Sequence, residues 1–246
     1  MTLAAKLSFN TLEKIQRRFK LREIGEPYLT LNSRADGQHP SAPVGALRLF
    51  TGALIHKLIY IGLAVPPLGL DSHMIFAFTP PDSAVPHFTL DAVMNAPMYA
   101  FHLDLIPRAD LAANLAYLNH VYQPLTPEFE KIRKIEGLSP APVAPRQAAL
   151  MSPWMLVYRA TESAFARIDE SVDAWLNHWF NLVELGVPVE IPLGHSAETL
   201  AQRDRLNRAA IFNPEVDPVW AQVERLVGPE MAKRMREIAT SQSVEE

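Results

Sequence analysis

The chain has 246 residues, 48% hydrophobic and 20% charged, with no cysteine and with 23 basic against 27 acidic side chains for a formal charge of -4. That length buries a substantial core within one domain. The missing cysteines exclude thiolate nucleophiles, disulfides and Cys-ligated iron–sulfur or zinc sites, and the net charge offers no global field for nucleic acid or an anionic membrane. The first twenty residues become highly charged without a signal-like apolar stretch, and no later run approaches a membrane span, so a cytoplasmic protein is expected.

In chain order, Leu12, Ile15, Phe19 and Leu21 share a face over about Thr11 to Glu23, which predicts an amphipathic helix. A polar loop, Asn32 to Pro43, follows. The Leu-, Ile- and Tyr-rich stretch from Gly45 to Pro66 divides into strands near Leu47–Thr51 and Leu58–Ala64, with a helix through Ala53–Ile61 as an alternative. Ser72 to Phe78, Pro86 to Val93 and Met98 to Ile106 read as three further strands, and their short connections favour antiparallel meander pairing. Helices are predicted at Leu111–Val121 and from Thr126, an N-cap followed by Pro127, through Lys134. A proline-rich loop, Ser139 to Pro145, leads to a strand at Trp154–Ala160. Helices then follow over Ala164–Leu185, Ser196–Ala210, Pro218–Val227 and Pro229–Ala239. Strands in the middle with helices mainly after them define an α+β protein with an antiparallel sheet covered by helices.

Two strands carry a carboxylate, Asp91 and Asp104, where a core strand would carry Val or Ile. Burying an ionised Asp costs several kcal/mol unless it is paired, metal-bound or protonated, and proton chemistry is one reason to accept that cost. Alternation places His87, Thr89 and Asp91 on one face of their strand, and His102 and Asp104 likewise share a face of the next. Asp204 and Arg208 stand at i,i+4 in a helix, a spacing that an ordinary ion pair explains. Arg133 sits in a charged run that could be solvated or could grip a carboxylate. No phosphate-cradling Gly-rich loop, nucleophile elbow or His-Glu-x-x-His helix is present, and the eight histidines fall into no compact metal-ligand spacing.

The segments VPHFTLDAV (85–93) and HLDLIPRADL (102–111), the MSPWMLVYR strand (151–159), Arg203-Asp204-Arg205 and the LVGPE run (226–230) resemble the ferredoxin-dependent bilin reductases and their plant relative, red chlorophyll catabolite reductase. The similarity keeps the same order over about residues 45 to 240. It implies a three-layer α/β/α sandwich in which an open-chain tetrapyrrole lies between the sheet and the C-terminal helices. It also implies reduction without bound flavin, metal or nicotinamide, with single electrons from reduced ferredoxin and protons from the protein. By the same resemblance Asp91 matches the central proton donor, and the choice of Asp over Glu favours biliverdin-like substrates. Asp204 matches a second proton source, and Arg133 a propionate holder.

Members of that family that make phycocyanobilin carry a catalytic His on the third strand. The matching position here is Met74, and His73, one place out of register, would point to the opposite face. The expectation is therefore a bilin reductase in which Asp91 is the key acid. His87 shares its proton or bonds a pyrrole carbonyl, Asp204 acts elsewhere on the bilin, Arg133 and Arg208 hold propionates, and Met74 lines the substrate site. Reduction of a red chlorophyll catabolite and non-catalytic tetrapyrrole or haem carriage are the alternatives.

Overall fold

A computed structural model describes residues 1–34, 41–191 and 196–244. Part of the predicted loop at 32–43 lies outside these residues. The order is α1 (Leu3–Phe19), β1 (Arg22–Asn32), β2 (Pro43–Thr51), β3 (Lys57–Val65), β4 (Leu70–Phe78), β5 (His87–Asn95), β6 (Met98–Ile106), α2 (Leu115–Val121), α3 (Thr126–Ile132), β7 (Leu138–Pro140), α4 (Pro145–Ala148), β8 (Leu156–Ala160), α5 (Glu162–Phe165), α6 (Asp169–Leu185), α7 (Ala197–Ile211), α8 (Val219–Val227) and α9 (Pro229–Thr240). Among the described residues the strands form one antiparallel sheet of eight, ordered β1-β2-β3-β4-β5-β6-β8-β7. The predicted α+β sandwich is the architecture observed.

Both faces of the sheet are covered, so β3 after Lys57 and the second half of β4, from Met74 to Phe78, are continuously apolar rather than alternating. One face, including Phe88, Leu90, Phe101 and Leu103, packs against α1 and α6 through Leu12, Ile15, Trp175 and Trp179. The other, including Leu49, Ile61, Met74, Phe76 and Phe78, packs against α7, α8 and α9 through Phe212, Trp220, Val223 and Met235. His87, Asp91, His102 and Asp104 stand on strand positions of this second face.

Several element boundaries differ from the prediction, each for a local reason. Helix α1 begins at Leu3, because its first two buried turns use Ala4, Ala5, Ser8 and Thr11, small or polar side chains that dilute the apolar period. Thr2 caps it by accepting from the Ala5 N–H at 3.0 Å. The residues after it form β1, an edge strand that tolerates Gly25 and Pro27 through an irregularity between Ile24 and Leu29. The alternative helix at 53–61 is replaced by β3. The proline-rich loop contains β7, also an edge strand. Helix α2 starts four residues later than predicted because the Asp110 carboxylate takes the Ala112 N–H in a local turn. Thr126 lies inside α3, where its hydroxyl accepts from the Trp154 indole N–H at 3.0 Å. The helix predicted over 164–185 divides into α5 and α6, and between them the Arg167 and Ile168 N–H groups return to carbonyls three residues back.

Lys57, at the start of β3, is 2% exposed. Its ammonium donates to the carbonyls of Ile238, Ser241 and Ser243 at 2.6, 3.1 and 3.0 Å, collecting oxygens at the C-terminal end of α9, where a cation is favoured. Lys57→Met should strip those carbonyls of a charged donor. We expect it to cost about 2–4 kcal/mol and to lower the thermal midpoint, followed by circular dichroism, by on the order of 5–15 °C.

Candidate active site

A cleft of about 380 Å³ opens on the second face of the sheet, within the usual size range of small-molecule sites. Its floor is made by Ser72, Met74 and Phe76 of β4, Asp91 and Val93 of β5, and Ala100 and His102 of β6. The segment from Pro142 to Met155 forms one wall, and the α7–α8 connection from Ile211 to Trp220 forms the other. Its lining is mostly apolar, with polar groups clustered on the floor and at the start of α8.

Asp91 and His102 are directly opposed across the β5–β6 pair. The His102 Nδ1–H donates to Asp91 Oδ2 at 3.4 Å, a long contact between side chains 15% and 27% exposed. Asp217, just before α8, lines the cleft and uses one oxygen to accept from the Val219 N–H at 3.0 Å. Burial works against charge on His102, but the hydrogen bond to Asp91 and the charges of Asp91, Asp104 and Asp217 outweigh it and raise the pKa. Burial, reinforced by the neighbouring Asp91, raises the Asp217 carboxyl. Among the described residues, Asp91 Oδ1, His102 Nε2 and Trp220 Nε1 are buried polar atoms with no protein partner, and all three belong to the cleft's lining. Such atoms cost free energy unless a ligand or water satisfies them.

Asp104, two residues from His102 on the same face, is fully buried. It accepts from the Ser152 N–H at 2.9 Å and the Ser152 hydroxyl at 2.5 Å, which ties the 142–155 wall to the sheet. Burial is the main cause that raises its pKa.

His87, Asp204 and Arg208 do not line this cleft. Asp91 is four residues from His87, roughly 13 Å along the strand, and at that distance the three residues form a separate buried cluster with Arg108. His87 Nε2–H donates to Asp204 Oδ1 at 2.6 Å, and Arg108 donates to the same oxygen. Arg208 and Gln242 donate to Oδ2 at 2.8 and 2.7 Å. The Thr79 N–H donates to His87 Nδ1 at 3.1 Å, so that nitrogen carries no proton and the ring is the neutral Nε2–H tautomer. Burial and then the Arg108 charge push its pKa down to about 3. For Asp204 burial acts upward, but the His87 hydrogen bond and the arginine charges hold its carboxyl well below the usual range. A neutral, fully bonded imidazole and an anion with four donors are built for holding, which is why the cluster clamps α7 to the sheet instead of serving the cleft.

Arg133, just after α3, is half exposed and pairs with Glu130 at 3.2 Å, also away from the cleft. His73 faces the α1 side, where Nε2 donates to Asp71 at 2.9 Å and Nδ1 meets the Tyr60 hydroxyl at 2.6 Å. Of the site residues expected from sequence, the structure therefore brings Asp91 and Met74 to the cleft. It adds His102 and Asp217, which had weak signals: a second His on an adjacent strand face, and an Asp-Pro step before a helix. Arg108 was visible only as the first cation after the β6 strand. Among the described residues, no three His, Asp or Glu side chains gather as metal ligands, and no helix is long and apolar enough to cross a membrane.

No family model and no curated protein matches the sequence. Among solved structures, the chain is similar to phytochromobilin synthase from tomato, crystallised in complex with biliverdin. The identity is 18%, the alignment covers 97% of this chain and 83% of that one, and the TM-score is 0.72. This likeness establishes a shared fold.

The buried clamp carries a pH signature. The folded-state pKa of His87 is below its unfolded value of 6.5, so between pH 6.5 and about 3 the unfolded chain binds more protons. Its contribution is therefore fully present above pH 6.5 and is lost as pH falls through that window. Asp204, depressed from 3.8, adds a loss with the same sign at lower pH. His87→Gln should lower stability at pH 7 by about 1–3 kcal/mol and flatten the fall in urea midpoint between pH 6.5 and 4. Parallel wild-type and variant profiles would refute the neutral buried imidazole.

Proposed function

We propose that this chain reduces a linear tetrapyrrole of the biliverdin type, with single electrons from reduced ferredoxin and with Asp91 delivering protons. The observation that carries this reading is a carboxyl on the floor of an apolar cleft, with one oxygen, Oδ1, left without a partner among the described residues. The fold shared with a biliverdin-bound synthase supports it.

Reduction of one carbon–carbon double bond takes up two electrons and two protons, and the electrons come from the iron–sulfur donor. This chain's part is to hold the pigment, exclude water and place the acid. Met74, Phe76, Met151 and Phe212 supply apolar surface against the conjugated plane. Asp91 acts as general acid at the carbon it faces, and Asp217, at the opposite wall, takes the second-carboxylate role that the resemblance gave to Asp204.

The geometry favours neither Arg133 nor Arg208 as a propionate holder, since each is committed elsewhere. Arg203 lines a smaller hollow that shares Met151 with the cleft, and the Arg236 guanidinium lies 5.7 Å from the Trp220 ring centroid. Among the described residues, Arg203 Nε and Arg236 NH1 are buried without a partner, and these two groups are our choice for the propionates.

Anaerobic incubation with biliverdin, ferredoxin and a reducing system tests the reading. We expect bleaching or a shifted band and a new product on chromatography, whereas bound but unchanged pigment would make the protein a carrier. A parallel incubation with a red chlorophyll catabolite separates the two substrate classes. Asp91→Asn should still bind biliverdin, seen by its absorption spectrum, and lose turnover by about 10²- to 10⁴-fold. Wild-type turnover in that variant would remove Asp91 from the chemistry.

A further inference from the structure

We propose that residues 142–149 form a lid over the cleft, hinged at two fixed points and latched to the opposite wall by Arg146 and Glu215. The inference rests on the reading of the cleft as the pigment site and adds how that site opens and closes.

The sequence makes this segment a stiff strap. Prolines at 140, 142 and 145 each fix their own φ and lack the N–H that a sheet ladder needs, so the chain leaves β7 instead of prolonging it. Helix α4 is a bare turn, closed by the Ala148 N–H to the Ala144 carbonyl at 2.9 Å and the Ala149 N–H to the Pro145 carbonyl at 3.0 Å.

The strap is pinned at its ends. At one end the Ala141 N–H donates to the Val157 carbonyl of β8 at 3.0 Å, and at the other Ser152 holds Asp104 through its N–H and its hydroxyl. Among the described residues, the hydrogen bonds of 142–149 close within 144–151, apart from those of one side chain. Lifting this stretch therefore breaks no bond to the sheet. Met151 and Met155 flank the Ser152 pin and stay with it.

The exception is Arg146, which crosses to the other wall. Its guanidinium donates to the Glu215 carbonyl at 3.4 Å and pairs with Glu215 Oε2 at 3.8 Å. Glu215 lies in the α7–α8 connection, where its N–H donates to the Asn213 side chain at 2.8 Å and fixes that half of the latch. Among the described residues, no other hydrogen bond or ion pair joins the 142–155 wall to the 211–220 wall. Pro142, Val143 and Gln147 line the cleft, while Ala144, Pro145, Arg146 and Ala148 are exposed. Both latch side chains are in water, so the pair is weak and salt-screened, as a latch that must open requires. Closure of such a strap shuts water out of the cleft between successive electron and proton transfers.

Two measurements decide it. The first uses no pigment. The chain has no cysteine, so Ala148→Cys with Glu224→Cys supplies the two spin-label sites, one on the strap and one on α8. Double electron–electron resonance should show a shorter and a longer distance population, and adding Glu215→Gln should enrich the longer. A distance distribution that Glu215→Gln leaves unchanged overturns the latch, whatever the cleft binds. The second follows biliverdin release by stopped-flow absorption. Arg146→Gln and Glu215→Gln should each speed dissociation by about two- to fivefold and remove the acceleration that added salt produces in the wild type. The charge swap, Arg146→Glu with Glu215→Arg, should restore slow, salt-sensitive release. Wild-type release rates and salt dependence in both single variants would overturn the lid. If the wild-type protein binds no biliverdin, the bilin reading fails, and the label distances still decide whether the strap is latched.

Discussion

A carboxylate enclosed between a sheet and its covering helices must be answered, and the second face of this sheet is organised by how each one is. Removing a partner from a buried charge costs about 3–5 kcal/mol, a large share of the 5–15 kcal/mol that holds a domain folded. Asp204 receives four donors, from His87, Arg108, Arg208 and Gln242. Asp104 receives two from one serine. Asp91 has a single long contact, with one oxygen unmatched. The three acids thus form a gradient from fully satisfied to deficient, and the deficient one lies where the cleft is.

The two histidines on this face show the same principle from the cation's side. His87 sits among arginines, accepts at one nitrogen and donates at the other, and is held neutral. His102 sits among three carboxyls, has one nitrogen unmatched, and is held toward its charged form. Their strand positions are equivalent in kind, so the pleat alone does not assign their roles. Neighbours contributed by α7, by the 142–155 segment and by the approach to α8 do.

This explains what was legible in the sequence. Strands β2 to β6 were visible as apolar runs between turn signals, and their antiparallel order followed from short connections. The shared face of His87, Thr89 and Asp91 followed from a period of two. Edge strand β7 fell in a predicted proline-rich loop, and β1, with Gly25 and Pro27, overlapped the end of a predicted helix and was otherwise unassigned, because an edge tolerates residues that an interior strand excludes. At the site, Asp91 was reachable as a carboxylate in an otherwise apolar strand, and Met74 through the resemblance alone. The destination of Asp204 was hidden, because its partners His87 and Arg108 are 117 and 96 residues away in sequence. An i,i+4 pair with Arg208 gave no hint that the same carboxylate closes a four-donor clamp. His102 was seen beside Asp104 on its own strand, whereas the carboxylate it bonds, Asp91, is across the ladder, a relation set by register rather than by spacing.

The satisfied acids are also what give the deficient one its setting. The Asp104–Ser152 clamp fixes the segment bearing Met151 and Met155, and the Asp204 clamp fixes α7, whose end bears Ile211 and Phe212. The two walls of the cleft therefore hang from the same sheet that carries Asp91 and His102 on its floor. Rigid polar clamps on either side hold the walls in place around the apolar space. Burial of polar groups, which costs stability at any single position, is in this arrangement the means by which a cleft with an incompletely bonded carboxyl on its floor is held to a defined width.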